Sequence, residues 1–305
     1  MVEVTVVGDV NIDVLTAPIP EYPKKDCQVR IEHVHVEVGG GAAHTALALS
    51  KLGVKTALVG IVGTDCFGNF IIQKTKDFGV ISKLKRCEGK TGVSIGISFT
   101  DGSRSLLTYT GTNRTFSSKQ FKLEDLQGRV LFVSGYGLME SFQKDVPKVL
   151  KYARQQAMAT CLEPDIKSGV NFDIRKFKAM LRFVDLFFPD LEEGKILTGE
   201  KDEEKIAEKI LGFGCKIVAL KLGERGCLVA DEEKFVRVGA IETNALNPTG
   251  AGDFFNAGFI FGYLKHGKIE KAGEFGNAVA SFAISRFWDE RYPSKAEIER
   301  LVSNF

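Results

Sequence analysis

Short, unbroken apolar runs recur along this chain at residues 4–7, 56–62, 130–133, 160–162, 184–188 and 217–220, with helical patterns between them. A strand without a polar face must be covered on both sides. Strands alternating with helices at this spacing predict an α/β fold, a doubly wound and mostly parallel sheet with helices on both faces. In such sheets ligands bind beyond the carboxyl ends of the strands. Polar residues stand there in this chain, as in Gly8-Asp9-Val10-Asn11-Ile12-Asp13 after the first run. A length of 305 residues suits one large α/β domain or two smaller ones. Because no linker-like segment interrupts the chain, a single domain over residues 1–305 is expected.

Two stretches break the pattern. Residues 29–38 alternate with period two, and 93–99 alternate as far as Asp101-Gly102 before returning through 106–109. They predict a small antiparallel β lid, inserted at about 14–38 and 91–111. A sheet with one polar face has to cover something, either a ligand or a partner subunit. Helices are expected near 67–78, 146–158, 191–197 (stopped by Gly199) and 206–211. After a hairpin at 226–238, two long helical patterns at 254–264 and 272–287 and a charged helix at 295–302 close the chain.

Composition narrows the function classes. Lys and Arg number 41 against 39 Asp and Glu, and no basic block stands out, which argues against nucleic acid or an acidic membrane surface as partner. No apolar segment approaches a membrane span, and the amino terminus runs straight into a strand, so a soluble cytoplasmic protein is expected. Six scattered cysteines without a C-x-x-C pair indicate neither a zinc site nor a disulfide framework. His33 and His35 share a strand face but lack a third ligand nearby. The 23 phenylalanines read as core.

Chemistry concentrates in Asn247-Pro248-Thr249-Gly250-Ala251-Gly252-Asp253, followed by an apolar helical run. A tight glycine turn at a helix N-terminus aims several N–H groups at one point and suits anionic oxygens. Asp253 is wasted there unless it takes a proton; the alternative is a helix cap with glycines needed only for the turn. A second glycine turn, Gly39-Gly40-Gly41-Ala42-Ala43-His44, opens another helix. It approaches the dinucleotide fingerprint, but His44 stands where the last glycine belongs, so a nicotinamide dehydrogenase is the weakest reading.

The whole chain resembles the ribokinase-like (PfkB-type) carbohydrate kinases, and Thr249-Gly250-Ala251-Gly252-Asp253 before a C-terminal helix pair is the most specific element of that likeness. The resemblance implies an enzyme that phosphorylates a hydroxyl of a small sugar using ATP and Mg2+. Asp253 would be the base, and Gly250, Ala251 and Gly252 the anion hole. Asp13 would bind sugar hydroxyls, and Gly39, Gly40 and Gly41 the turn that lets backbone approach the sugar. Arg104 would contact an acidic or phosphorylated substrate, with a solvated hairpin charge as the alternative. On the nucleotide side the resemblance places Lys221, Gly223 and Gly226, with Asn277 near the adenine and Glu193 organising magnesium.

Four positions depart from the pattern. His44 replaces an Asn, which bears on substrate choice. Asp190 replaces an Asn and adds negative charge near the phosphates. Asn247-Pro248 stands for Asp-Thr, leaving a monovalent cation such as potassium open, and Glu163 stands in Glu-Pro-Asp for Asp-Pro-Asn. The alternatives are a nucleoside kinase of the same fold and a non-catalytic sugar- or nucleotide-binding protein. The partly apolar lid strands fit a homodimer formed through the lid.

Overall fold

The structure, a computed structural model, describes residues 1–166 and 170–303. In the nine-stranded main sheet β1 (Val4–Val7) stands third from one edge. To one side lie β4 (Thr56–Gly63) and the edge strand β5 (Ile81–Cys87); to the other, β8 (Val130–Val133), β9 (Ala159–Leu162), β10 (Leu186–Phe187) and β11 (Ile217–Lys221). All these neighbours pair in parallel. An antiparallel hairpin, β12 (Cys227–Ala230) and β13 (Phe235–Val238), completes the sheet. Its turn is fixed by the Asp231 carboxylate, which accepts from the N–H groups of Glu233 at 3.0 Å and Lys234 at 2.9 Å.

Strand residues alternate between two cores, as burial on both faces requires. Val4, Val6 and Phe132 pack under α1 (Gly41–Lys51), α7 (Ala251–His266) and α8 (Ile269–Ile284), with α2 (Cys66–Asp77) and α9 (Lys295–Ser303) at the margin. Val7, Leu131 and Val133 pack under α3 (Val146–Gln155), α4 (Ile174–Met180), α5 (Leu191–Thr198) and α6 (Glu203–Leu211). Phe188 bridges Phe132 and Phe259 edge-on, at 6.0 and 5.2 Å between ring centres. Most of the described phenylalanines lie in these two cores or pack against them, as expected, whereas Phe235 is exposed. The six cysteines are free thiols. No helix of the described residues is long and apolar enough to cross a membrane.

The lid is a separate four-stranded sheet in the order β3 (Val34–Gly39), β2 (Asn11–Thr16), β6 (Gly92–Ser98), β7 (Arg104–Tyr109). Within it β2 and β6 run parallel, while the outer pairs are antiparallel. Two expectations change here. The alternating stretch 29–33 lies outside any strand, although the His33 carbonyl accepts from Ala17 N–H at 3.0 Å, and β3 begins at Val34. Asn11–Asp13, read as the polar end of the first apolar run, instead open a central lid strand, Asn11–Thr16, ahead of the lid's expected start at about 14. The chain therefore passes from the main sheet into the lid within three residues, and the site forms at that passage.

Candidate active site

A cavity of about 660 Å³ lies between the carboxyl edge of the main sheet and the inner face of the lid. Each parallel strand from β1 to β11 delivers a polar group to it: Asp9 after β1, Ser134 after β8, Glu163 after β9, Asp190 after β10 and Lys221 closing β11. Asp9 is buried and accepts from the N–H groups of Gly41 at 3.0 Å and Ala42 at 3.3 Å, capping α1 from a distant strand. Burial, and next Asp165, push its carboxyl up to about 7, against the pull of those two N–H groups. A dinucleotide phosphate would need the same donors, so the dehydrogenase reading fails on geometry.

One end of the cavity is built by the 250–252 turn. Gly250 has φ of +75°, a left-handed conformation that side chains disfavour, and from it α7 starts at Ala251 with Asp253 in its first turn. Burial raises the Asp253 carboxyl well above the ordinary carboxylate range, Glu163 and Asp9 add to this, and Lys221 opposes it. Lys221 donates to Glu163 at 2.7 Å, and Ser134 donates to the other Glu163 oxygen at 2.8 Å. Burial alone would lower the Lys221 ammonium, but Glu163, Glu193 and Asp253 outweigh it and hold the group above its usual range. Glu163 is held below the usual range, because Lys221 and the Ser134 hydroxyl overcome the cost of its burial. Glu163 thus brings a charge that Lys221 balances.

The other end lies under the lid. Asp13 and Glu37 are cross-strand partners on the inner lid face, and Gly39 abuts the Asp13 carboxylate so closely that any Cβ would collide with it. His44 is buried, with Nδ1 2.9 Å from the Tyr292 hydroxyl and Nε2 3.6 Å from Asp13. That Nε2 makes no hydrogen bond among the described residues. Gly250 packs against the same imidazole, so His44 touches both ends of the site. Arg104 donates to Thr249 Oγ1 at 2.7 Å, carrying the lid hairpin onto the anion loop. It is therefore more than a solvated charge.

On the nucleotide side the outcome is mixed. Asp190 caps α5 by accepting from Glu193 N–H at 2.8 Å, and Glu193 returns the bond to Asp190 N–H at 2.8 Å. Glu193 also accepts from Ile166 N–H at 3.1 Å, and burial raises its carboxyl to about 7, with Lys221 the largest opposing influence. Both residues line the cavity, as does Gly223. Gly226 and Asn277 stand apart from it. Gly226 turns the chain into β12 against the Val238 carbonyl, and Asn277 donates to the carbonyls of Val238 at 3.0 Å and Gly239 at 2.8 Å. His33 and His35 stack on each other at 4.5 Å, away from this arrangement. The site residues that sequence reasoning did not single out are Asp9, named only within the polar stretch after the first apolar run, Ser134 and Tyr292. For the first two a signal existed, since each directly follows an apolar strand. Tyr292 carried none.

The pfkB family carbohydrate kinases match this chain over residues 1–289. An uncharacterized sugar kinase of Archaeoglobus fulgidus is 31% identical over 249 residues, covering 79% of this chain and 96% of that protein. Adenosine kinase from Sinorhizobium meliloti superposes with a TM-score of 0.87 at 24% identity, over 98% of this chain and 99% of that one. Arabidopsis thaliana ribokinase complexed with ribose and ATP does so with a TM-score of 0.83 at 22% identity, over 99% of each chain. The two structures establish the shared fold, and the family match over nearly the whole length establishes descent: this chain belongs to the pfkB family of carbohydrate kinases.

Proposed function

We propose that the protein transfers the γ-phosphoryl group of ATP to a hydroxyl of a small sugar or sugar derivative bound between Asp13 and Asp253. The observation that carries this reading is the pairing of a proton-hungry carboxyl, Asp253, with the N–H-lined turn at 250–252 on one helix start. Phosphoryl transfer demands positioning and charge stabilisation more than covalent chemistry. Asp253 accepts the proton of the attacking hydroxyl. The backbone of Gly250, Ala251 and Gly252, with the dipole of α7 behind it, steadies the transferring oxygens. Lys221, beside Gly252, adds positive charge at this end of the carboxylate-rich cavity.

Asp13 and the open Nε2 of His44 face the sugar hydroxyls, and Arg104 closes the lid side. The carboxylates of Asp190 and Glu193 supply hard oxygen donors of the kind Mg2+ prefers. Both Glu193 oxygens already take backbone N–H bonds, so it would hold the ion through water. Mg2+ would offset phosphate charge. Gly223 borders the nucleotide end, whereas Asn277 and Gly226 would shape the β12–β13 wall behind the base. The lid belongs to the same single domain. Its outer face lines up Val36, Val14, Ile95 and Leu107 across the sheet, and three of the four are exposed. That apolar row fits a second copy of the chain, a homodimer in the cytoplasm.

The test is ADP release with ATP and Mg2+ against ribose, fructose, ketodeoxygluconate, inositol, fructose phosphates and nucleosides. One compound should turn over, and Asp253→Ala should lose about a hundred- to ten-thousand-fold in rate while still binding ATP. Near-normal rates in that variant would sink the mechanism; turnover confined to nucleosides would move the substrate class.

A further inference from the structure

The largest fully buried side chain in the described protein carries a charge: Arg291, with no exposed surface. Its guanidinium sits against the anion loop but is not among the residues that line the cavity. Nη2 donates to the carbonyls of Asn247, at 3.4 Å, and of Thr249 in a very short contact. Nε donates to the Ala283 carbonyl at 3.3 Å, beyond which α8 ends. Nη1 pairs with Glu37 of the lid at 2.9 Å, and the whole group lies 4.9 Å from the centre of the Phe254 ring on α7. Four separate segments therefore meet on one cation.

A buried guanidinium costs desolvation and persists only when its donors are matched. What the match accomplishes follows from the peptide unit. The planar trans peptide points its C=O and N–H in opposite directions. Drawing the Thr249 carbonyl onto Arg291 therefore turns the Gly250 N–H the other way, toward the cavity that Gly250 lines. With Gly250 at positive φ, this peptide could rotate freely were the carbonyl not held. The same guanidinium holds Glu37, the cross-strand partner of the sugar-facing Asp13.

We infer that Arg291 is a positioning residue: from outside the cavity it sets the orientation of the anion hole's first N–H and ties the lid to it. The backbone carbonyls of Asn247, Thr249 and Ala283 already share a cation, so turnover should not need potassium. The turnover statements rest on the kinase reading above; the orientation of the loop does not.

The test uses Arg291→Lys and the double variant Arg291→Met/Glu37→Gln, which removes both charges together and spares the fold an unpaired one. Amide hydrogen exchange over residues 246–250, without substrate, should speed up by about tenfold or more in the double variant while distant strands keep their protection. With a sugar that the wild type accepts, kcat should fall about a hundred- to a thousand-fold, as when an oxyanion donor is lost, with a smaller change in the sugar KM. Low millimolar guanidinium should restore part of both losses, and Arg291→Lys should fall in between. Wild-type rates should be equal in potassium and choline buffers. Unchanged exchange, a kcat loss that guanidinium does not relieve, or a potassium requirement in the wild type would each overturn the inference. If no sugar turns over, the kinase reading fails, and the exchange measurement still decides the role of Arg291.

Discussion

Asp9 shows how the site's acids are held in tension. Its folded-state carboxyl titrates at about 7 against 3.8 when unfolded, so between those values the native state binds the extra proton. Stability from this group is therefore full below the unfolded value and is lost as pH rises through the folded one. In Asp9→Asn that loss is absent. The stability difference between variant and wild type should move in the variant's favour by up to about 1.4 kcal/mol per pH unit from pH 4 to 7, then level off. Denaturant titrations across that range check it; a difference independent of pH would show that Asp9 is not strained by burial. Among residues, the legible ones were those whose chemistry is local. Asp253 adjoins the glycines it works with, and Gly39–Gly41 announce a turn by themselves. Tyr292 and Arg291 meet His44 and Glu37 across most of the chain, Arg291 also reaches back 44 and 42 residues to Asn247 and Thr249, and no spacing reveals such meetings.

At the scale of elements, α7 and α8 pack closely against each other. Gly258 sits where any Cβ would press into the Phe275 carbonyl and come within 2.9 Å of Val279. That contact lets the two helices approach closely, which fixes where α7 starts and hence where Asp253 stands. Gly258→Ala should force them apart and cost about 1–3 kcal/mol of stability, the range for overpacking, read as a lower denaturation midpoint. An unchanged midpoint would mean that the helix pair yields without strain. Elements with a clean period were legible: α2, β6, β8, the β12–β13 hairpin and α9 lie within a residue or two of expectation. The hidden strands break their pattern for physical reasons. β5 is an edge carrying Lys83, Lys85 and Arg86, charges that discourage further pairing. β2 carries Asp13 at its centre because its inner face belongs to the site.

For the whole molecule, apolar runs ordered by helices were enough to read the doubly wound sheet, since only burial on both faces tolerates them. The lid was legible as a separate sheet but not in its pairing, which joins strands distant in sequence such as β2 and β6. Its outer row supplies the last test. Val36→Lys with Leu107→Lys should convert a sedimenting dimer to monomer while ATP binding persists; a wild type that sediments as monomer would count against the homodimer. The short passage from β1 to β2 has mechanical meaning as well. Asn113 accepts from Val10 N–H at 3.2 Å and donates to the Val10 carbonyl at 3.1 Å and to the Asn11 side chain at 2.5 Å, clamping the chain where it changes sheets. The lid is then a lever with its fulcrum beside Asp13. At roughly 3.3 Å per strand residue, Asp13, proposed above to hold the sugar, rides on a short arm and barely shifts, while Arg104 and Leu106, far out on β7, sweep a wider arc. A tilt of this sheet would leave the acceptor's grip in place and change chiefly how tightly the mouth is shut.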